Sequence, residues 1–231
     1  MVDLGVVGGM ATMPTRAAYA ERAVASVLRN VDQLFLFLDR FECVPDYARN
    51  HRIVILRSQE FGDLRANGKL LGLTLAKNAD YYMCCDDDME YPKGFSRRLV
   101  RACRRYSSRV VAGIYGSTFK HPINSYVRDR NILTTRKRLY FGKRVDVLGT
   151  NGCLHAIAAM KFDVRDWTRV NMVDLHFAFE AQKAGLDLHV VAHKAKWVGQ
   201  IERHQEDSIY LRLRENDSEQ TRLVNQLLKD S

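Results

Sequence analysis

The sequence predicts an α/β fold: a mostly parallel central sheet with helices on both faces. Three observations predict it. Strand-length apolar runs alternate with helix-period segments through the first half, in the order β-α-β-β-α-β-α-β. Polar clusters fall at strand ends, at Thr12-Met13-Pro14-Thr15-Arg16, at Asp39 and at Asp86-Asp87-Asp88; open α/β sheets bind ligands at the carboxyl ends of their strands. Finally, 231 residues that are 46% hydrophobic and 27% charged can bury one sizeable core.

Each element has its own signal. Residues 2–8 are an apolar strand bounded by Gly8-Gly9. Residues 16–30 carry Ala20, Ala23, Val24, Val27 and Leu28 on one helical stripe. Residues 34–38 are a short buried strand ending at Asp39, and 53–56 another. Residues 68–77 read as a helix with Leu71 and Leu75 on one face. The strand at 81–85 runs straight into the three aspartates. A helix follows over 92–106 and a strand over 110–115. The second half is less regular. Residues 126–147 hold short strand-like pieces, and Gly149-Thr150-Asn151-Gly152 is rich in turn residues. A helix over 174–184 is closed by Gly185, then comes a strand over 188–192 and a C-terminal helix over 206–229.

Composition narrows the function. The net charge of +9 favours an anionic partner: nucleotide phosphates, acidic sugars, an anionic lipid surface or nucleic acid. No apolar run approaches the roughly 20 residues of a membrane span. The N-terminus has no basic, apolar leader pattern, so it reads as a cytosolic start, with the inner membrane surface as a second placement. The five cysteines are odd in number and form no CxxC. Cys84 and Cys85, neighbours in a strand, should point to opposite faces as reduced thiols.

The strongest local signal is Asp86-Asp87-Asp88. In an extended chain Asp86 and Asp88 share a face, and paired carboxylates suit a hard divalent cation bridging to phosphate oxygens; the bland alternative is a solvated acidic turn. Asp174, opening a helix, is either a first-turn residue favoured by the helix dipole or a general base. Gly68-Lys69 could meet a nucleotide but lacks Walker spacing. Arg97, Arg98, Arg101, Arg104 and Arg105 read as a solvated helix face. Arg128, Arg130, Arg136, Lys137, Arg138, Lys143 and Arg144 crowd an irregular stretch that could hold an anionic acceptor or donor sugar. No HExxH pattern occurs; His193 or His204 could complete a metal site with Asp88. Trp167 and Trp197 read as core.

Together these segments resemble the GT-A fold (Rossmann-like) nucleotide-sugar glycosyltransferases, family 2 type, and in particular bacterial capsule and glycosaminoglycan-type transferase domains. Met10–Arg16 looks like the first donor loop, Gly62-Asp63 with Gly68-Lys69 like the GD…GK stretch, and Asp86–Pro92 like the DxD block with its Tyr-Pro. Leu148-Gly149-Thr150-Asn151-Gly152 is similar to the LGTG acceptor loop, and Asn171-Met172-Val173-Asp174 to the segment bearing the base. Asn151 stands where the family often has Gly, and Val173 where it commonly has Glu.

The resemblance implies one GT-A domain over 1–231. Residues 1–116 would be the nucleotide-sugar half, 117–205 the acceptor half and 206–231 a C-terminal helix. It implies metal-dependent, inverting transfer of a sugar from a nucleoside diphosphate, UDP in the first instance, to a hydroxyl of a glycan or other anionic polymer. Asp88, Asp86 and His193 would hold Mn²⁺ or Mg²⁺. Thr12, Pro14, Arg16, Asp39, Gly68, Lys69, Asp86 and Asp87 would bind the nucleotide sugar. Gly149, Thr150, Asn151, Arg136 and Arg138 would face the acceptor, and Asp174 would be the catalytic base. Two other readings stand beside it. A sugar-phosphate nucleotidylyltransferase should carry a Gly-rich N-terminal loop, of which Gly8–Thr12 is a poor version. A basic nucleic-acid binder, or a transferase acting on nucleic acid, would use the 128–144 cations.

Overall fold

The expected alternation of strands and helices is present in a computed structural model that describes residues 5–201 and 216–229. The first half runs β1 (Val6–Thr12), α1 (Ala17–Leu28), β2 (Gln33–Leu38), β3 (Ile53–Arg57), α2 (Ser58–Phe61), α3 (Gly72–Leu75), β4 (Tyr81–Asp86), β5 (Met89–Glu90), α4 (Phe95–Arg105) and β6 (Val110–Gly113). The second runs β7 (Gly116–Phe119), β8 (Arg130–Leu133), β9 (Lys143–Val145), β10 (Val147–Leu148), β11 (Cys153–Ala156), α5 (Val173–Lys183), β12 (Asp187–Val190), β13 (Gly199–Gln200) and α6 (Ser218–Lys229). The early part of the expected C-terminal helix, and His204, lie outside the described residues.

Eight strands make the main sheet in the order β3-β2-β1-β4-β11-β6-β12-β9. Strands β3, β2, β1 and β4 are mutually parallel, and β6 is parallel to β12. Strand β11 runs antiparallel to β4 and β6, and β9 antiparallel to β12. The parallel half therefore ends β1, β2 and β4 at one edge, which brings Thr12, Asp39 and Asp86 together.

Pleat alternation divides the core between the two faces. In β4, Tyr81, Met83 and Cys85 join α1 and α4 on one side. Tyr82 and Cys84 join α5 and α6 on the other. The two adjacent thiols point apart as expected, and all five cysteines are free. Helix α4 starts after Gly94 (φ 82°) and α5 stops at Gly185 (φ 67°), both left-handed positions that glycine fills without strain.

Two local expectations change. Gly8-Gly9 does not bound the first strand; both glycines lie inside β1. A Cβ on Gly9 would sit 1.9 Å from the Lys69 carbonyl oxygen and 2.1 Å from the Tyr82 hydroxyl, so the strand needs glycine for close approach. The continuous helix at 68–77 is instead a 3₁₀ stretch, Arg65–Leu70, followed by the single turn of α3. There Gly68 and Gly72 press on Phe37 and Phe35, at 2.2 and 2.4 Å from their would-be Cβ atoms. Strand β11 had no separate sequence signal, because four residues after a turn-rich loop are too short to show a period.

Candidate active site

The sheet edge opens into a cleft of about 660 Å³, bordered by Thr12, Arg16, Asp39, Lys69, Asp86–Asp88, Thr150, Asn151 and Asp174. Residues separated by more than 150 positions in sequence meet there.

The extended chain stops at Asp86, and Asp87 and Asp88 form a turn before β5. Strand alternation therefore does not pair Asp86 with Asp88; the turn presents all three to the cleft. Tyr91 braces this turn. The Asp86 N–H donates to its hydroxyl oxygen at 2.9 Å, and that hydroxyl donates to the Asn151 carbonyl at 2.8 Å. The Ile201 N–H donates to the Asp88 carbonyl at 2.8 Å.

The three carboxylates have different surroundings. Asp87 is buried and pairs with Arg16 at 2.9 Å. Burial raises its pKa, against the opposing pull of the Arg16 guanidinium and the Thr12 hydroxyl. Asp86 accepts a short hydrogen bond from the buried Lys69 ammonium. Burial works against the charge on Lys69, but Asp86 overcomes it and the pKa is raised. Asp88 is half-buried on the cleft wall.

Lys69 also reaches the Thr150 Oγ1, 3.3 Å away. Thr150 in turn donates to Asp174 Oδ1 twice, from its N–H at 2.8 Å and its hydroxyl at 2.7 Å. A polar chain Asp86–Lys69–Thr150–Asp174 thus fixes the acidic turn relative to the first turn of α5. Burial raises the Asp174 pKa; Lys69 and the two Thr150 bonds pull it back. Both Thr150 bonds fall on Oδ1, so the orientation of the carboxylate is set from one side. Asp39, buried at the end of β2, has its pKa raised first by burial, and its Oδ1 has no hydrogen-bond partner among the described residues.

Other expected site residues are placed differently. Gly68 packs on Phe37 and serves the fold. Pro14 is exposed and opens the 3₁₀ turn that leads to Arg16. Gly149 shapes the loop, its N–H donating to the Tyr115 carbonyl at 2.9 Å. His193 does not join the aspartates: it lines a separate cavity, with Arg138 and Trp197. Arg136 is exposed, with its N–H on Thr134. The 128–144 cations are divided: Arg130 borders the aspartate cleft, Arg138 the second cavity, and Arg144 pairs with Asp187 at 3.1 Å. Arg98, exposed on its helix as expected, lies over the Trp197 ring. Among the described residues, no group of three or more His, Cys, Asp or Glu is arranged to hold a metal.

Sequence reading missed one wall. Asn216 and Gln220, at the start of α6, border the cleft beside Tyr126 and Arg130. Asp217 anchors that helix by accepting from Ser125 Oγ at 2.6 Å and the Val127 N–H at 2.8 Å. Asn225 exchanges two bonds with the Ile123 backbone. The signal that could have found it was Asp217-Ser218 before an amphipathic run, a helix start.

The sequence matches no protein-family model and no curated protein. Among solved structures, the chain is similar to the crystal structure of GalNAc-T7 with UDP, GalNAc and Mn²⁺. The TM-score is 0.59 at 11% sequence identity, over 87% of this chain and 44% of that one. The chain has a GT-A fold. It spans less than half the length of that similar protein. No helix among the described residues of this GT-A chain is long and apolar enough to cross a membrane.

Proposed function

We propose that this chain is a metal-dependent, inverting glycosyltransferase that moves a sugar from a nucleoside diphosphate, UDP in the first instance, to a hydroxyl of a glycan or other anionic acceptor. The observation that carries the reading is the polar chain Asp86–Lys69–Thr150–Asp174, which sets an acidic turn and a half-buried carboxylate at a fixed separation across one cleft. The UDP and Mn²⁺ bound in the GalNAc-T7 structure support a nucleotide-sugar donor and a divalent cation.

The donor set suits such a cation. Mg²⁺-like ions use one or two carboxylates and take their other ligands from phosphate and water. Asp88 would hold it, with the part-exposed Asp86 assisting. A bound cation would offset the charge of the departing diphosphate.

The chain's own groups do the rest. Asp39 Oδ1, buried without a hydrogen-bond partner among the described residues, would accept from an N–H of the base, which relieves its burial. Arg16 and Lys69 add fixed positive charge near the phosphates. Asp174 would take the proton of the attacking hydroxyl. Its raised pKa makes it a better base than an exposed aspartate, and Thr150 holds it in one orientation. Attack from the Asp174 side, opposite the leaving diphosphate, gives inversion. A nucleotidylyltransferase is disfavoured by the position of Gly8-Gly9, packed inside β1 rather than free to cradle phosphates.

The test is a donor screen that follows nucleotide-sugar hydrolysis with added Mn²⁺. At least one sugar nucleotide should release nucleoside diphosphate, and chelation should stop it. Release of pyrophosphate from a sugar phosphate and a nucleoside triphosphate would instead support the nucleotidylyltransferase.

A further inference from the structure

The second cavity, of about 490 Å³, shares no bordering residue with the aspartate cleft. Its wall is tied together by the Leu139 and His193 backbones, which donate to each other at 2.9 Å in both directions. Three cations border it, Arg98, Arg138 and Lys194, and no acid does. Arg98 lies 4.9 Å from the centre of the Trp197 ring and also donates to the Ala192 carbonyl. Arg138 lies 4.5 Å from the ring centre of Tyr140, a residue that is 69% exposed. Neither Arg138 nor Lys194 has an ion-pair partner among the described residues.

His193 supplies the chemical detail. It is 3% exposed, and its Nδ1 lies 3.1 Å from the Lys194 carbonyl oxygen. A carbonyl only accepts, so Nδ1 carries the proton and Nε2 presents a lone pair. Nε2 is buried without a hydrogen-bond partner among the described residues. Burial lowers the ring's pKa against the opposing hydrogen bond to the Lys194 carbonyl, and Arg98 adds to the lowering.

A ligand that satisfies this cavity must donate a hydrogen bond, carry negative charge and offer an apolar face to Tyr140 and Trp197. Sulfate donates nothing and has no such face. A sugar acid has all three: hydroxyls, a carboxylate and a C–H face. We infer that this cavity binds an anionic saccharide residue, with a hydroxyl on His193 Nε2 and the carboxylate on Arg138 and Lys194. The inference does not rest on the proposed transfer activity, because binding is read directly.

The experiment is calorimetric titration of the full chain with tetragalacturonate, alongside maltotetraose and inorganic phosphate at matched ionic strength. Tetragalacturonate should bind saturably, unaffected by added UDP, and more tightly than either comparison probe. Arg138→Gln and Lys194→Gln, both exposed and outside the aspartate cleft, should each weaken it by about tenfold, the worth of a charge-assisted hydrogen bond. Failure to bind, displacement by UDP, equal binding of maltotetraose or phosphate, or unchanged affinity in both variants would overturn the assignment. These outcomes are independent of the donor screen, so either result can fail alone.

Discussion

Asp87 and Asp88 are neighbours in one turn, yet their substitutions should be felt in different measurements. Asp87→Asn leaves the Arg16 guanidinium without its buried partner. Breaking such a pair costs about 3 kcal/mol, so urea unfolding should show a clear loss of stability. Asp88→Asn, at a half-buried carboxylate, should cost less stability than Asp87→Asn while weakening nucleotide binding in the presence of Mn²⁺. Asp174→Asn separates a base from a helix-start residue. An amide oxygen still accepts from Thr150, so stability should fall by about 1 kcal/mol or less. An amide cannot take a proton, so turnover should drop by roughly 10²–10⁴-fold with UDP affinity retained. If Asp174 is the base, burial should shift the acid limb of the wild-type pH–rate profile upward from that of an exposed aspartate, with activity lost as pH falls through it. Turnover of Asp174→Asn within about threefold of wild type would remove Asp174 from the chemistry.

At the scale of elements, the site depends on close approach of β1, the 3₁₀ stretch and β4. Tyr82 donates its hydroxyl to the Lys69 carbonyl at 2.7 Å, over the face of Gly9. Gly9→Ala would force Lys69 and Tyr82 apart, at a cost on the order of 1–3 kcal/mol or more. Thermal unfolding should show that loss, and a melting temperature equal to wild type would refute the packing argument. This scale also shows what the sequence made legible. The acidic triplet, Lys69, Thr150 and Asp174 could be found because each stands where an apolar or periodic run stops, and such stops face the sheet edge. Gly68 and Gly8-Gly9 look ligand-facing or bounding in sequence because a glycine required by a neighbour's ring looks the same as one required by a phosphate. Sequence order places His193 with the aspartates and Arg138 with the acceptor loop, because it does not reveal that the Leu139–His193 backbone pairing brings the two to one separate cavity. The wall made by Asn216 and Gln220 depends on where α6 docks, which rests on the Asp217 and Asn225 contacts with residues 123–127.

For the molecule as a whole, the central antiparallel strand carries a pH liability. His155 in β11 is 0% exposed, between the Tyr82 and Phe177 rings. Burial lowers its pKa from 6.5 to about 4. The folded-state pKa is depressed, so the unfolded chain binds the extra proton first. The stability is fully present above pH 6.5 and is lost as pH falls towards 4, by roughly 3 kcal/mol in total. Urea unfolding at pH 7 and 4.5 should show wild type losing more than His155→Phe over the same interval; equal losses would show that His155 is not responsible.

The central claim is that the edge of the sheet holds a nucleoside diphosphate through a cation on the acidic turn. Calorimetric titration of UDP, with Mn²⁺ and then with excess chelator, tests it most directly. Binding should be saturable and weaken by about tenfold or more on chelation, with a similar loss in Asp88→Asn when Mn²⁺ is present. UDP affinity that is the same with and without the cation, or the same in Asp88→Asn, would contradict it.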